Sequence, residues 1–279
     1  MEIAKNLIEK IYETVRGINR NELGIAFSGG VDSSILAASC KDLGKRVTLL
    51  TVGFSSLRDI EVSKETSEKL GLPMTYEVVS LEELEDGIKS VLNIIKVDRL
   101  VLLENSVCFY YVFKIASKRG IETVLSANGM DELFCGYNLY RKYFGDEKSM
   151  KKIMGMLVET AKRDKAEMDK IAVFWNVNYK CPFLSDSFVD FAMKIPLQYK
   201  IKDENDELRK HILREAALKI EVPKSAAMRR KKAFQYSSGI HKAIAKLARS
   251  RGYTKKKSKV LGYSGVIEAY LKSLASSCK

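Results

Sequence analysis

Short apolar runs alternate with amphipathic segments through the first half of the chain. Continuous apolar runs at residues 23–27 and 47–52 are typical of strands that are buried on both faces of a parallel sheet. Shorter runs at 75–79 and 123–126 predict two more strands, and segments with helical periodicity lie between the runs. Strands that alternate with helices form right-handed βαβ units. The pattern therefore predicts an α/β fold with a doubly wound parallel sheet.

Helical periodicity predicts helices around these strands, at residues 6–16, 33–43, 59–70 and 105–118. Ser80 and Glu83 have the spacing of a capping box, which predicts that a further helix begins there. After about residue 140 the pattern becomes mostly helical, with helices expected at 150–177, 187–195, 208–220 and 263–273. The stretch 249–259 is basic and contains glycine, which favours a mobile loop.

We expect three regions along the chain. Residues 1–145 would form a nucleotide-binding α/β core with its N-terminal helix, and residues 146–245 a helical half of the same domain. Residues 246–279 would be a basic C-terminal extension. The 279 residues with 46% apolar content are enough to bury a sizeable core.

The cysteines and the N-terminus indicate a cytoplasmic protein. The five cysteines are scattered and odd in number, and the two histidines make a structural zinc site improbable. The first 20 residues have an amphipathic pattern rather than that of a signal peptide, and no apolar run approaches the length of a membrane span. We therefore expect no membrane partner, and the sequence leaves the oligomeric state open.

The most informative motif follows the first predicted strand and reads Ser28-Gly29-Gly30-Val31-Asp32-Ser33-Ser34. Glycines allow the backbone to approach a phosphate, and the free N–H groups at the start of the next helix favour an anion. The serines add hydroxyl donors. A carboxylate beside a phosphate would repel it unless the carboxylate holds Mg²⁺, so Asp32 predicts a magnesium ligand. The turn lacks the lysine of a Walker A loop and resembles the PP-loop of the ATP pyrophosphatases.

A second motif follows the strand predicted at 123–126. It reads Ser126-Ala127-Asn128-Gly129-Met130-Asp131-Glu132 and continues to Tyr137. The carboxyl ends of parallel strands meet at one edge of the sheet, so this motif and the glycine-rich turn should face one crevice. Asp131 could share a metal with Asp32, although acidic residues are also favoured at any helix N-terminus.

This second motif resembles the S-G-E-G-x-D-E-L-F-x-G-Y segment of the synthetase domain of asparagine synthetases. Three further blocks agree in order with that family, and β-lactam synthetases share the same pattern. The blocks are Pro182 to Pro196, Leu208 to Ala216, and Arg229 to Gly239. The likeness covers most of residues 20–245. It implies an adenine nucleotide α-hydrolase-like PP-loop fold with a mostly helical C-terminal half.

The resemblance implies an AMP-forming, Mg-ATP-dependent ligase. In that family a substrate carboxylate attacks the α-phosphate of ATP, pyrophosphate leaves, and an amine then displaces AMP. Carried over to this chain, the roles fall on four sets of residues. Pyrophosphate would contact Ser28, Gly29, Gly30, Asp32, Ser33 and Ser34; Mg²⁺ would be held by Asp32 and Asp131; the nucleotide would contact Val52, Gly53, Ser126, Ala127 and Gly129; and Lys231 would stabilise transition-state charge.

The chain departs from the family where the substrate would bind. The glutamate of S-G-E-G is Asn128, which cannot act as a general base. The arginine of the E-x-R-x-P-F-L-D segment is Lys180, a point charge instead of a bidentate fork. We therefore expect a carboxylate substrate that is not simply aspartate. Glu2 follows Met1 in place of a glutaminase cysteine, so the amine would come from free ammonia, a separate glutaminase subunit or another nucleophile.

Two alternatives stay open on the sequence. Residues 209–279 carry 19 Lys/Arg against 3 Asp/Glu, whereas the whole chain has a net charge of +13. Such a basic segment could bind RNA or another polyanion, which suits a PP-loop enzyme that adenylates an RNA base, or it could be a solvated surface. Cys135 would then be the candidate thiol. The third possibility is a nucleotide-binding partner subunit without catalysis.

Overall fold

A computed structural model describes residues 2–54, 60–230 and 238–277. Their strands form one parallel sheet in the order β3-β2-β1-β4-β5, which confirms the predicted α/β class. The strands are β1 (Glu22–Ala26), β2 (Arg46–Phe54), β3 (Met74–Val79), β4 (Thr123–Leu125) and β5 (Asn178–Lys180). The sequence did not predict β5, because its three residues carry one apolar ring between two polar side chains.

Helices cover both faces of this sheet, and most begin or end within three residues of the predicted limits. Those before residue 145 are α1 (Glu2–Arg16), α2 (Val31–Asp42), α3 (Glu61–Leu70), α4 (Leu81–Ile94), α5 (Leu100–Lys118), α6 (Met130–Leu133) and α7 (Leu139–Lys142). Those after it are α8 (Glu147–Phe174), α9 (Asp186–Lys194), α10 (His211–Lys219), α11 (Lys224–Ala227), α12 (Ile240–Ser250), α13 (Lys255–Val260) and α14 (Val266–Ser277). Short 3₁₀ turns occur at Pro182–Leu184 and Leu197–Tyr199.

The predicted capping box of Ser80 and Glu83 forms at the start of α4. The Ser80 hydroxyl accepts a hydrogen bond from the Glu83 N–H at 3.2 Å, and the Glu83 carboxylate accepts one from the Ser80 N–H at 2.9 Å. The capping box thus satisfies two donors that the first helical turn leaves without partners.

The prediction of a mobile loop at 249–259 was wrong. Helix α13 occupies its second half, where the Thr254 hydroxyl caps the helix by accepting a hydrogen bond from Lys257 N–H at 3.2 Å. Tyr253 packs edge-on against Tyr270 of α14, with ring centroids 5.6 Å apart. Aromatic packing from a later helix orders this basic segment, and local composition carries no sign of such a contact.

Helix α5 lies in the core, with one face against the sheet. Val107, Val112 and Phe113 are fully buried. By length and composition alone α5 could cross a membrane, which contradicts the expectation that no apolar run reaches that length. Because 67% of its apolar stretch is buried inside the fold, α5 matches the core helix of a soluble protein.

Candidate active site

The carboxyl ends of β1 and β4 lie side by side where the strand order reverses. The chain runs from β1 outward to β2 and β3, then crosses back so that β4 pairs with the other side of β1. A crevice opens at such a point because the two crossovers leave in opposite directions, and ligands bind there. Ser28 follows β1 and Ser126 follows β4, and both line one cleft of about 540 Å³.

The turn between β1 and α2 has the conformation that an anion site requires. Gly29 has a φ of +67°, and a Cβ there would lie 2.9 Å from the carbonyl oxygen of Val62, so the position needs glycine. The Ser28 and Ser33 hydroxyls lie 3.3 Å apart, and the Gly30 N–H donates to the Ser28 hydroxyl at 3.4 Å. The start of α2, with its free N–H groups, therefore opens onto the cleft.

The two predicted metal ligands are brought together, and a lysine lies between them. The Nζ of Lys210 is 2.6 Å from Asp32 Oδ2 and 2.5 Å from Asp131 Oδ1. The Lys210 side chain is 1% exposed. Two carboxylates from the first turns of α2 and α6 thus share one buried ammonium group, which the sequence did not predict as part of the site.

The charges of the two aspartates keep Lys210 protonated. Burial by itself would lower the pKa of the ammonium, but the neighbouring charges of Asp131 and Asp32 outweigh burial and raise it. Asp32 Oδ1 is buried and accepts no hydrogen bond from the described part of the chain. Residues 2–54, 60–230 and 238–277 contain no group of three or more His, Cys, Asp or Glu side chains that could hold a metal.

An irregular backbone carries Lys210 to this position. Arg209 and Lys210 both have positive φ, +48° and +56°, immediately before α10 begins. The Asp206 carboxylate stabilises this turn by accepting hydrogen bonds from the N–H groups of Lys202 and Arg209, each at 2.9 Å. Burial would raise the pKa of Asp206, but these hydrogen bonds and the contact with His211 lower it to about 2. Positive φ at the non-glycine residues Arg209 and Lys210 is a strained backbone conformation. Such strain persists only where the surrounding structure holds it in place, and strained residues of this kind are common at functional sites.

Gly136 leaves room for the charged cluster. A Cβ at this position would lie 2.0 Å from Asp131 Oδ1 and 2.5 Å from the Cε of Lys210. Gly136, near the end of the second motif, is thus required by the packing of Asp131 against Lys210. Sequence reasoning used this glycine only as part of the resemblance.

Ser126 and Asn128 form a hydrogen-bonded cluster with β5. The Ser126 hydroxyl lies 2.7 Å from the Tyr179 hydroxyl, and the Asn128 amide donates to the same hydroxyl at 3.3 Å. Lys180 follows Tyr179 in the strand, so its side chain leaves the opposite face. Lys180 is not among the described residues that line the cleft, whereas Asn128 is. The two residues predicted for the substrate pocket are therefore separated, and only Asn128 faces the cleft.

Positive charge lines the cleft beside the aspartates. Arg214, Arg229 and Arg230 lie on the wall near Lys210. Arg214 is buried, and its guanidinium donates to the backbone carbonyls of Leu208, Arg209, Ala227 and Arg229 at 2.6 to 2.8 Å. Arg214 therefore links the turn before α10 to the end of α11 and the residues that follow it. The three arginines give this wall of the cleft the positive charge that a triphosphate would meet.

The residues predicted to bind the nucleotide, the metal or the substrate divide into three groups. Those that line the cleft are Ser28, Gly30, Asp32, Ser33, Ser126, Ala127, Asn128 and Asp131. Besides Lys180, five predicted residues are not among the described residues that line it: Gly29, Ser34, Gly129, and Val52 and Gly53 near the end of β2. Lys231 lies outside the described residues.

The four cysteines in the described part of the chain are poor candidates for a reactive thiol. Cys40, Cys108, Cys135 and Cys181 are buried and free. Burial raises the pKa of the Cys135 thiol to about 12. A thiol with so high a pKa is protonated at neutral pH, so Cys135 packs as a small apolar residue.

Comparison with known proteins identifies the family. The profile described as asparagine synthase matches residues 9–166 and 143–275. A protein of Methanocaldococcus jannaschii named "Putative asparagine synthetase (glutamine-hydrolyzing) 1" is 28% identical over 90% of this chain and 52% of its own length. Asparagine synthetase B of Escherichia coli is 29% identical over 78% of this chain and 41% of its own length. The chain thus spans about half the length of the curated relatives it matches.

Two solved structures match this chain at lower sequence identity. The NMN synthetase of Francisella tularensis is 14% identical with a TM-score of 0.43, over 99% of this chain and 92% of its own. The NH₃-dependent NAD synthetase of Campylobacter jejuni is 13% identical with a TM-score of 0.39, over 99% and 93%.

Proposed function

We propose that this chain, which belongs to the asparagine synthase family, is an ATP-dependent ligase of the AMP-forming type. It adenylates a substrate carboxylate and then transfers an amine. The single observation that carries the proposal is the pair Asp32 and Asp131, joined on one cation beside a glycine-rich turn at the switch point of the sheet. This arrangement suits a triphosphate whose negative charge must be neutralised while pyrophosphate leaves.

The residues fit a magnesium ion as well as a lysine. Mg²⁺ binds through one or two carboxylates and takes its other ligands from phosphate oxygens and water. Asp32 and Asp131 supply the carboxylates, and the buried Oδ1 of Asp32 has a lone pair to offer. When bound, the ion would neutralise charge on the phosphates. Lys210 holds the two carboxylates together through its own charge.

In the first half of the reaction an oxygen of the acceptor carboxylate attacks the α-phosphorus of ATP. The bond to the β-phosphate oxygen breaks, and pyrophosphate leaves with the electron pair. The N–H groups at the start of α2 and the Ser28 and Ser33 hydroxyls would donate to the pyrophosphate oxygens. Arg229 and Arg230 on the adjoining wall would bind the developing negative charge. Lys231 is proposed to stabilise the transition state.

In the second half an amine attacks the acyl carbon and AMP leaves. Asn128 faces the cleft where the family carries a glutamate, and an amide cannot take the proton of the incoming amine. We therefore propose that another base accepts this proton and that the acceptor carboxylate is not simply aspartate. Ammonia, either free or from a glutaminase, is the proposed amine donor.

RNA modification has less support. The described basic residues after 209 are spread over the cleft wall and several helices, among them α12 to α14. The buried, protonated thiol of Cys135 does not suit sulfur transfer. RNA-dependent release of pyrophosphate would nevertheless favour that alternative.

The test is ATP–pyrophosphate exchange with a panel of carboxylic acids, followed by amide formation with ammonium. We expect exchange that requires a carboxylic acid and Mg²⁺, and we expect Asp32→Asn to abolish it while the variant remains folded. Exchange that appears only with added tRNA, or unchanged exchange in Asp32→Asn, would contradict the proposal.

A further inference from the structure

Beyond the phosphate end, the cleft continues as an arm between one face of α5 and one face of α8. The α8 residues that line it are Leu157, Thr160, Ala161, Asp164 and Met168. Spacings of three and four residues place these side chains on one side of the helix. The α5 residues are Val101, Asn105 and Phe109, again four apart, and Arg99 lies at the N-cap of the helix.

The walls of this arm, which we call the acceptor arm, are mostly apolar. Val101 is 47% exposed and Leu139, at the rim, is 37% exposed, although both are large apolar side chains. Ala161 and Met168 form the buried part of the wall. Apolar side chains left open to a cleft beside a reaction centre are typical of a ligand site.

The charged groups of the acceptor arm are paired with one another. The Arg99 guanidinium contacts the Asp164 carboxylate across the arm and also lies 3.2 Å from Asp98. The contact with Asp164 raises the pKa of Arg99 despite its partial burial. A substrate with a free ammonium and a second carboxylate would have to break this pair to find partners of its own, while an uncharged body leaves it intact.

We infer that the acceptor substrate is a carboxylic acid whose body is uncharged and largely apolar. Its carboxylate lies near Asn128 and the phosphates, and its body extends along Val101, Ala161 and Met168. The carboxylate oxygen bonds to the α-phosphorus as pyrophosphate leaves, so ATP is the only co-reactant of this step. The inference rests on the proposed function and names the class of its substrate.

The test compares acids by their kcat/KM in ATP–pyrophosphate exchange, which needs no amine donor. Butanoate, hexanoate and 3-phenylpropanoate serve as apolar probes, and aspartate and glutamate as charged ones. We expect the apolar acids to exceed aspartate, with a gain of about tenfold per added methylene until the arm is filled. Higher kcat/KM for aspartate or glutamate than for every apolar acid would overturn the inference and leave the proposed function standing. Absence of exchange with all five acids at saturating Mg-ATP would overturn the inference as well. If no carboxylic acid in a wider panel supports exchange, the proposed function is overturned as well.

Val101 provides a variant that should fold, because its side chain is half-exposed. We expect Val101→Asp to lower kcat/KM for hexanoate at least tenfold. Val260→Asp is the matched control, since Val260 is 79% exposed on α13 and does not line the cleft. Equal effects of Val101→Asp and Val260→Asp would contradict the placement of the substrate body in the acceptor arm.

Discussion

The ammonium group of Lys210 lies 2.6 Å from a carboxylate oxygen of Asp32, although 178 residues separate the two in the chain. Asp32 is at the start of α2, and Lys210 is on the turn before α10. Asp131, on the short helix α6 that follows β4, contacts the same ammonium. The phosphate end of the cleft is thus assembled from three distant segments, and its charge balance depends on all of them.

Removal of the Lys210 charge should destabilise the fold in a way that Mg²⁺ reverses. Loss of one partner from a buried ion pair lowers the free energy of unfolding by about 3–5 kcal/mol, and Lys210→Met leaves two carboxylates facing each other. A bound Mg²⁺ would supply the missing charge and stabilise the folded state. We expect urea unfolding of Lys210→Met to show this loss without Mg²⁺ and a partial recovery at millimolar MgCl₂.

Lys114→Met is the matched control for this experiment. Lys114 lies 3.1 Å from Glu77 in a partly buried pair outside the cleft. Its smaller loss of stability should be independent of Mg²⁺. A loss in Lys210→Met that Mg²⁺ leaves unchanged would contradict a shared cation site.

Two glycine substitutions should have opposite effects. A methyl group at Gly136 would overlap Asp131 and Lys210, so Gly136→Ala should displace the charged cluster and abolish pyrophosphate exchange. Gly155 lies within α8, and a Cβ there would meet no atom within 4 Å. Gly155→Ala should therefore keep activity and raise the free energy of unfolding by about 0.5–1 kcal/mol. The prediction is checked by measuring the rate of pyrophosphate exchange and the urea unfolding of both variants. Pyrophosphate exchange at the parent rate in Gly136→Ala would contradict it.

Asp206 should stabilise the fold only in its ionised form. Its pKa is lowered from 3.8 to about 2, so its contribution is fully present above pH 3.8 and is lost as the pH falls through about 2. The shift corresponds to about 2 kcal/mol. We expect Asp206→Asn to unfold about 2 kcal/mol more easily than the parent protein at pH 6, and this difference should narrow toward pH 2. A difference that stays constant with pH would indicate lost packing instead.

Lys231 is expected to act on the transition state more than on binding. Lys231→Ala should lower kcat of pyrophosphate release by about 10²–10³-fold, the usual effect of losing one charge-stabilising group. The Kd for ATP, measured by calorimetry, should change only a few-fold. Its sequence neighbour offers the control Lys232→Ala, which should retain activity. Equal losses in kcat and in ATP affinity would mean that Lys231 only binds the nucleotide.

Several parts of the fold and site could be predicted because short-range physics specifies them. The apolar runs of β1 and β2 predict buried parallel strands, and Ser80 with Glu83 predicts a helix start that forms as expected. The rule that strand tips meet at one edge brought Asp32 and Asp131 together correctly. Strand β5 was missed, since three residues are too few for a periodic signal. Helix α13 was predicted as part of a mobile loop, because its segment is ordered by an aromatic contact with α14 that the local sequence does not reveal.

The strand–turn–helix around Ser28, the family, and the meeting of two aspartates at the switch point could all be read from the amino-acid sequence. These follow from periodicity, glycine chemistry and motif order, which are local properties of the chain. The folded chain was needed to see that Lys210 neutralises those aspartates and that Gly136 makes room for them. It was also needed to see that Asn128 faces the cleft and Lys180 does not line it. The reason is physical: burial and charge neutralisation depend on which distant side chains meet, and a linear pattern does not encode those distances.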